Sequence, residues 1–131
     1  MILDTSAIVA ILTEEKPEAD IFTDVLDHAQ PGPFLIAAPN FLETYTVIYH
    51  RMGEKGLIAL DRFRRDIGLI VEGFDPYLAT VACEGYKRFH RGKTGLNFGD
   101  CFAYALAKAR NEPLLCKGKD FKATDISIVQ Y

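Results

Sequence analysis

The sequence predicts an α/β protein, a three-layer α/β/α sandwich around a mainly parallel central sheet. Two observations lead to this fold class. Short apolar segments with strand character alternate with longer segments of helical periodicity along the chain. The strand segments are apolar at consecutive positions, which is typical of strands buried on both faces of a parallel sheet. The length of 131 residues predicts one domain spanning residues 1–131.

Proline, glycine and capping residues set the boundaries of the predicted elements. Ser6 is predicted to cap the first helix, and Gly53 to separate the third helix from the fourth. Asp75 followed by Pro76 reads as the cap and first residue of the fifth helix. The resulting order is strand 2–3, helix 6–12, helix 17–29, strand 34–37, helix 40–53, helix 54–67, strand 69–71, helix 76–89, helix 98–110, strand 114–116 and strand 126–129.

Charge is segregated along the chain, although the formal net charge is only −3. Residues 1–50 hold eight acids and one base, whereas residues 87–122 hold nine bases and three acids. The basic segment predicts contacts with the phosphates of a nucleic acid. The leading candidates for these contacts are Lys87, Arg88, Arg91 and Lys93. The alternative is a set of solvated helix faces, because segregation along the sequence need not form a patch on the surface.

The cysteine pattern and the lengths of the apolar runs indicate the cellular compartment of the protein. Three cysteines at wide spacings, without a Cys-x-x-Cys pair, indicate neither a disulfide framework nor a zinc site. No run of about 18 apolar residues is available for a membrane span, and the chain opens with a strand rather than a signal peptide. We therefore expect a soluble protein of the reducing cytoplasm.

Four acidic residues are candidates for one cluster, since parallel sheets bind ligands beyond the carboxyl ends of their strands. The acids are Asp4, Glu43, Asp100 and Asp120. Carboxylates within about 4–6 Å raise one another's pKa, and Mg²⁺ or Mn²⁺ would relieve that repulsion. Taken singly, each acid also has a structural explanation as a cap, a helix-dipole partner or a turn residue. Glu43, for example, stands three residues after Asn40, which is the spacing of a capping box.

Four segments form a pattern that takes in all four acids and nearly the whole chain. They are MILDTSA at 1–7, FLET at 41–44, LNFGDCFAYA at 96–105, and LLCKGKDF at 114–121 followed by TDI at 124–126. A single D-T-S is a weak signal, but these segments in this order and in a chain of this length are specific. The sequence thereby resembles the PIN-domain family, and within it the VapC-type toxins of bacterial type II toxin–antitoxin systems.

The resemblance implies metal-dependent hydrolysis of RNA by an acidic cluster. Carried over to this sequence, it makes Asp4 and Asp100 the principal ligands of Mg²⁺ or Mn²⁺, with Glu43 and Asp120 completing the catalytic acids. Many relatives place a further acid two positions before the last aspartate, where this chain has Gly118. Asp125 is therefore an alternative fourth acid.

The resemblance also implies supporting residues and partners. The hydroxyl of Thr5 or Ser6 would orient a carboxylate or a phosphate, and Asn97 would contact substrate or metal-bound water. The expected partners are an RNA substrate, a second copy of the chain and a VapB-type antitoxin. That antitoxin would inhibit by presenting an Arg or Lys to the acids, and toxin and antitoxin would form a hetero-oligomer.

Other function classes fit the sequence less well. A phosphoacceptor receiver domain carries an acidic pair after its first strand, whereas here Asp4 is followed by Thr5 and Ser6. A non-catalytic PIN-like binding module would not need all four acids. Catalysis by Cys101 with His90 as base has no shared motif to support it, because cysteine is commonly a small buried residue.

Overall fold

The computed structural model describes residues 1–92 and 94–131 and contains a parallel sheet between two layers of helices. The elements are β1 (Ile2–Leu3), α1 (Thr5–Leu12), α2 (Glu18–Asp27), β2 (Leu35–Ala37), α3 (Ala38–Asp66), β3 (Ile70–Glu72), α4 (Pro76–Phe89), α5 (Asp100–Arg110) and β4 (Leu114–Leu115). The strand order is β3-β2-β1-β4, and all three strand pairs are parallel. The predicted α/β/α class with a parallel sheet is therefore confirmed.

Successive strand residues face opposite sides of the sheet and so build two separate cores. Ile2 and Leu114 pack with α4 and α5 on one face. Leu3 and Leu115 pack with α1, α2 and α3 on the other face. All four side chains are at most 1% exposed. This double burial explains why the strands are apolar at consecutive positions.

The helix boundaries differ from the predicted ones for local reasons. The prediction of Ser6 as cap is wrong, because Asp4 has an extended backbone and its side chain accepts the N–H of Ser6. α3 begins two residues before Asn40, since the fixed φ of Pro39 suits the first helical turn. The predicted break at Gly53 is confirmed: its φ of 64° interrupts α3, and residues with a Cβ rarely adopt that value. α5 begins two residues later than predicted.

The predicted fifth strand is reduced to a single parallel bridge between Leu114 and Ile128. Leu114 N–H donates to the Ser127 carbonyl, and Val129 N–H donates to the Leu114 carbonyl, both at 2.9 Å. β4 offers only two residues for pairing, and the chain leaves the sheet edge beyond Val129. Within residues 1–92 and 94–131, no helix has the length and apolar composition needed to cross a membrane.

Candidate active site

The four predicted acids are held by four different parts of the fold. Asp4 follows β1, Glu43 lies near the start of α3, Asp100 is the first residue of α5, and Asp120 lies in the turn after β4. The first three line one cleft of about 240 Å³. Asp120 is close enough for its charge to raise the pKa of Asp100. The fold therefore brings all four acids into one electrostatic cluster, as the sequence predicted.

Asp4 is buried, with 6% of its surface exposed. Its Oδ2 accepts the backbone N–H of Ser6 at 3.0 Å and also the Ser6 hydroxyl. Burial raises the pKa of Asp4, the hydrogen bonds from Ser6 oppose that rise, and the charge of Glu43 adds to it. Ser6 thus fixes the orientation of a carboxylate whose charged form lacks a counter-ion.

Glu43 is held by a polar network on α1 and α3. Thr5 Oγ1 lies 2.6 Å from Glu43 Oε2, and Asn40 Nδ2 lies 3.3 Å from the same oxygen. Asn40 is fully buried and also donates to the Gly99 carbonyl at 3.1 Å, which ties α3 to the start of α5. Asn40 is therefore a positioning residue within the helix, and its predicted role as the helix cap is wrong.

Asp100 and Asn97 form two reciprocal hydrogen bonds at the start of α5. Asp100 Oδ2 accepts the N–H of Asn97, and Asn97 Oδ1 accepts the N–H of Asp100, both at 2.9 Å. Burial and the charges of Asp4, Asp120 and Glu43 together raise the pKa of Asp100 to about 6. Asn97 also lines the cleft, and its N–H orients the Asp100 carboxylate there.

Asp125, the alternative fourth acid, belongs to a different cluster. Its side chain accepts hydrogen bonds from Lys108 at 2.9 Å, Tyr104 at 2.9 Å and Arg88 at 3.2 Å. Burial alone would raise the pKa of Asp125, but the hydrogen bonds from Lys108 and Tyr104 and the nearby positive charges lower it. Asp125 therefore joins the chain after β4 to α4 and α5, whereas Asp120 is coupled to the acid cluster.

The cations predicted to contact nucleic acid are only partly available for that role. Arg88 is engaged by Asp125, and its guanidinium also lies over the Phe89 ring at 4.7 Å. Lys87 and Arg91 are exposed. Lys93 lies outside the described residues. Charge density along the sequence is thus a poor guide to which cations stand beside the acids.

The cleft has the donor chemistry of a site for a hydrated hard cation. Among residues 1–92 and 94–131, no three Asp, Glu, His or Cys side chains already form a metal cage. Mg²⁺ does not require one, because it keeps several waters and is commonly bound through one or two carboxylates. Asp4 and Asp100 supply two, and burial together with the neighbouring carboxylates raises the pKa of each. These residues fit such an ion.

Comparisons with known proteins give one consistent family. The sequence matches the model of the PIN domain over residues 1–127. It is 40% identical over 131 residues to Ribonuclease VapC from Mycolicibacterium smegmatis, covering 98% of this chain and 99% of that protein. It is 41% identical over 135 residues to Ribonuclease VapC30 from Mycobacterium tuberculosis, covering 98% of each.

Solved structures show the same fold. Mycobacterium tuberculosis VapC20, described as a Sarcin-Ricin loop cleaving toxin, has a TM-score of 0.80 at 19% identity and covers 99% of this chain and 98% of its own. VapBC2 from Rickettsia felis, bound to a DNA fragment from its promoter, has a TM-score of 0.73 at 16% identity and covers 98% and 96%.

Proposed function

We propose that this chain, which belongs to the PIN-domain family and to its VapC members, is a divalent-metal-dependent endoribonuclease and the toxin of a toxin–antitoxin pair. One observation carries the proposal. Asp4, Glu43 and Asp100 converge in one cleft, and the pKa values of Asp4 and Asp100 are raised there. A cleft of this charge favours a cation. Relatives at about 40% identity are named ribonucleases, which supports RNA as the substrate.

In this proposal Asp4 and Asp100 hold Mg²⁺ or Mn²⁺, and Glu43 and Asp120 complete the catalytic acids. When bound, the ion would activate water and stabilise the leaving oxygen of the phosphodiester. The chain itself provides fixed carboxylates. Ser6 orients Asp4 through two hydrogen bonds at its Oδ2.

Neutral groups of the chain also orient the carboxylates of Glu43 and Asp100. Thr5 and Asn40 hold the same oxygen of Glu43, which directs its other oxygen, Oε1, toward Gly99 and the start of α5. A Cβ at Gly99 would stand 3.2 Å from Glu43 Oε1, so this glycine keeps room beside the carboxylate. Asn97 orients Asp100 by donating its backbone N–H to Asp100 Oδ2, as the Ser6 N–H does for Asp4 Oδ2.

Removing the metal tests this function directly. We expect the purified chain to cleave RNA in Mg²⁺, to lose cleavage in excess EDTA, and to recover it when Mg²⁺ is restored, because the uncompensated carboxylates repel both one another and the phosphodiester. Gel analysis of end-labelled RNA measures cleavage. The same protein should melt at a higher temperature in Mg²⁺ than in EDTA. Cleavage that is indifferent to EDTA would contradict the metal, and no cleavage in either buffer would favour a binding module.

A second copy of the chain is the proposed partner for an apolar surface between α4 and α5. A cleft of about 600 Å³ lies there, lined largely by aromatic and small apolar side chains. Two of the lining residues, Phe98 and Tyr86, are 79% and 47% exposed. Contiguous exposed apolar surface of this kind marks an interaction site. A homodimer would bury it twice through one two-fold axis.

Replacing Phe98 by Asp is expected to convert this dimer into a monomer. Two-fold symmetry places the new charge in the interface twice, where it would be desolvated without a partner. Light scattering should then give 14.6 kDa rather than twice that mass. Ile58→Asp on α3, at a residue that is 61% exposed, is the matched control and should leave the mass unchanged. A dimer that survives Phe98→Asp would place the interface elsewhere.

The second proposed partner is a VapB-type antitoxin. VapBC toxin–antitoxin complexes share this fold, which supports such a partner without fixing its sequence. We propose that its tail presents an Arg or Lys to the acid cluster. A guanidinium pairs bidentately with a carboxylate and would occupy the place of the cation.

A further inference from the structure

Two cations near the acid cleft, Arg51 and Lys117, share one carboxylate, that of Glu15. Arg51 lines the cleft together with Asp4 and Glu43. Its Nη1 lies 3.0 Å from Glu15 Oε1, and Lys117 Nζ lies 2.6 Å from Glu15 Oε2. Hydrogen bonding from Lys117 holds the pKa of Glu15 below its usual value, so Glu15 is charged at neutral pH. Glu15 therefore fixes one cation with each of its oxygens.

Lys117 is also attached to the cleft through its backbone. Its N–H donates to Ser6 Oγ at 2.9 Å, and the Ser6 hydroxyl donates to Asp4. One serine thus links the residue that carries the ammonium group to the most buried acid of the cluster. Because Lys117 directly follows the buried Cys116 after β4, its backbone position is set by the sheet.

Both cations keep donors that Glu15 does not use. A guanidinium has five N–H donors and an ammonium group has three. Within the part of the chain that the structure describes, each of these side chains makes one hydrogen bond, the one to Glu15. The Arg51 side chain is 52% exposed and the Lys117 side chain 38%. The unused donors are therefore accessible to a ligand at the rim of the cleft.

A cluster of four carboxylates repels a phosphodiester and needs positive charge nearby to admit one. A metal ion offsets charge inside the cleft but does not hold the neighbouring phosphates of the strand. Arg51 lines the cleft and Lys117 is joined to it through Ser6, and both guanidinium and ammonium groups are good phosphate donors. Arg88 pairs with Asp125 and does not line the acid cleft, whereas Arg51 does.

We propose that Arg51 and Lys117 form a phosphate clamp that binds the RNA backbone at the rim of the acid cleft, with Glu15 as the residue that positions both. This inference rests on the proposed ribonuclease function. It adds a contact at the rim of the cleft to those predicted for the basic segment at residues 87–93. The clamp contacts backbone phosphates, so it contributes to affinity for all RNA sequences and not to the choice among them.

The test is a steady-state series on a labelled single-stranded RNA of mixed sequence in Mg²⁺ at several salt concentrations. Arg51→Ala and Lys117→Ala should each raise KM about tenfold and change kcat by less than about threefold, since charge-assisted hydrogen bonds to substrate are lost. Each should also flatten the log–log salt dependence by roughly 0.7. Arg51→Lys keeps the charge and should restore most of the salt slope. Thermal melts should move little, because the ion pairs with Glu15 are partly exposed.

Arg65→Ala is the matched control, because Arg65 lies near the end of α3 and pairs with Asp61 on the same helix. Its KM and salt slope should equal those of the wild type. If Arg51→Ala and Lys117→Ala behave like this control while the wild type cleaves and Asp100→Asn does not, the clamp is refuted and the ribonuclease stands. If the wild type itself fails to cleave RNA in Mg²⁺, both are overturned.

Discussion

Replacing Asp100 by Asn is expected to reduce RNA cleavage by at least about a thousandfold while making the fold more stable at neutral pH. Asp100 is one of two carboxylates proposed to hold the metal, and a neutral amide binds Mg²⁺ far more weakly. The amide oxygen can still accept the N–H of Asn97, so the reciprocal bonds at the start of α5 persist. The catalytic loss should therefore appear in kcat without unfolding.

The gain in stability follows from the sign of the pKa shift. Asp100 titrates near 6 in the folded protein and near 3.8 in an unconstrained chain. Between these values the folded state binds more protons, so the free energy of unfolding falls as pH rises through this window. At pH 7 the folded wild type bears the whole free-energy cost of a charged Asp100, and the Asn variant bears none of it. Discounted for partial exposure, the difference is about 1–2 kcal/mol. Melts of the metal-free proteins in EDTA should separate the two at pH 7 and should not separate them below pH 4.

Asp125→Asn is the matched control for this result. Asp125 lies in an ion-pair cluster with Lys108 and Arg88, so its removal costs stability rather than adding it. Cleavage should remain near the wild-type rate, because Asp125 does not line the cleft. If the Asp100→Asn protein kept wild-type turnover, the acid cluster would not be the catalytic site.

The acid cluster was predictable because a parallel sheet imposes a simple rule. Residues that follow its strands meet at one edge, and Asp4 and Asp120 follow β1 and β4. Glu43 and Asp100 lie in the opening turns of helices, and the family resemblance added them to the set. The continuous apolar strands predicted the two-sided burial of the sheet in the same way.

Contacts between distant residues were not predictable from the sequence. Asn40 has the spacing of a helix cap with Glu43, and only the fold shows that it is buried against Gly99, 59 residues away. Arg51 and Lys117 lie 36 and 102 residues from the Glu15 that joins them. Counting charges along the chain finds a basic segment but does not find such a pair.

The acid cleft and its rim together form a site with two kinds of charge. Inside, burial and neighbouring carboxylates raise the pKa values of Asp4 and Asp100. At the rim, Arg51 and Lys117 share the single negative charge of Glu15, and Lys117 also lies 3.9 Å from Glu18 Oε2. Any ligand that brings one positive charge into the cleft relieves the repulsion among the carboxylates. We therefore expect a divalent ion and the guanidinium of the proposed antitoxin tail to compete for the same position.

The proposed antitoxin tail is accordingly expected to inhibit less as Mg²⁺ rises. Where Mg²⁺ nearly saturates its site, each tenfold increase in its concentration should raise the apparent inhibition constant of the tail peptide about tenfold, as mass action requires for ligands that exclude each other. The exposed acids of α2, among them Asp20, Asp24 and Asp27, add a negative surface that favours a basic peptide. Inhibition should therefore also weaken with salt.

The measurement titrates the C-terminal peptide of the cognate antitoxin against RNA cleavage at several Mg²⁺ concentrations, with ionic strength held constant by NaCl. A peptide in which the inserted Arg is replaced by Gln is the control, because it keeps the rest of the docking surface and lacks the charge that competes with the ion. It should inhibit weakly and with little dependence on Mg²⁺. If the unmodified peptide inhibits equally at all Mg²⁺ concentrations, its Arg does not enter the acid cluster, and the tail acts by covering the rim or by separating the two copies of the toxin.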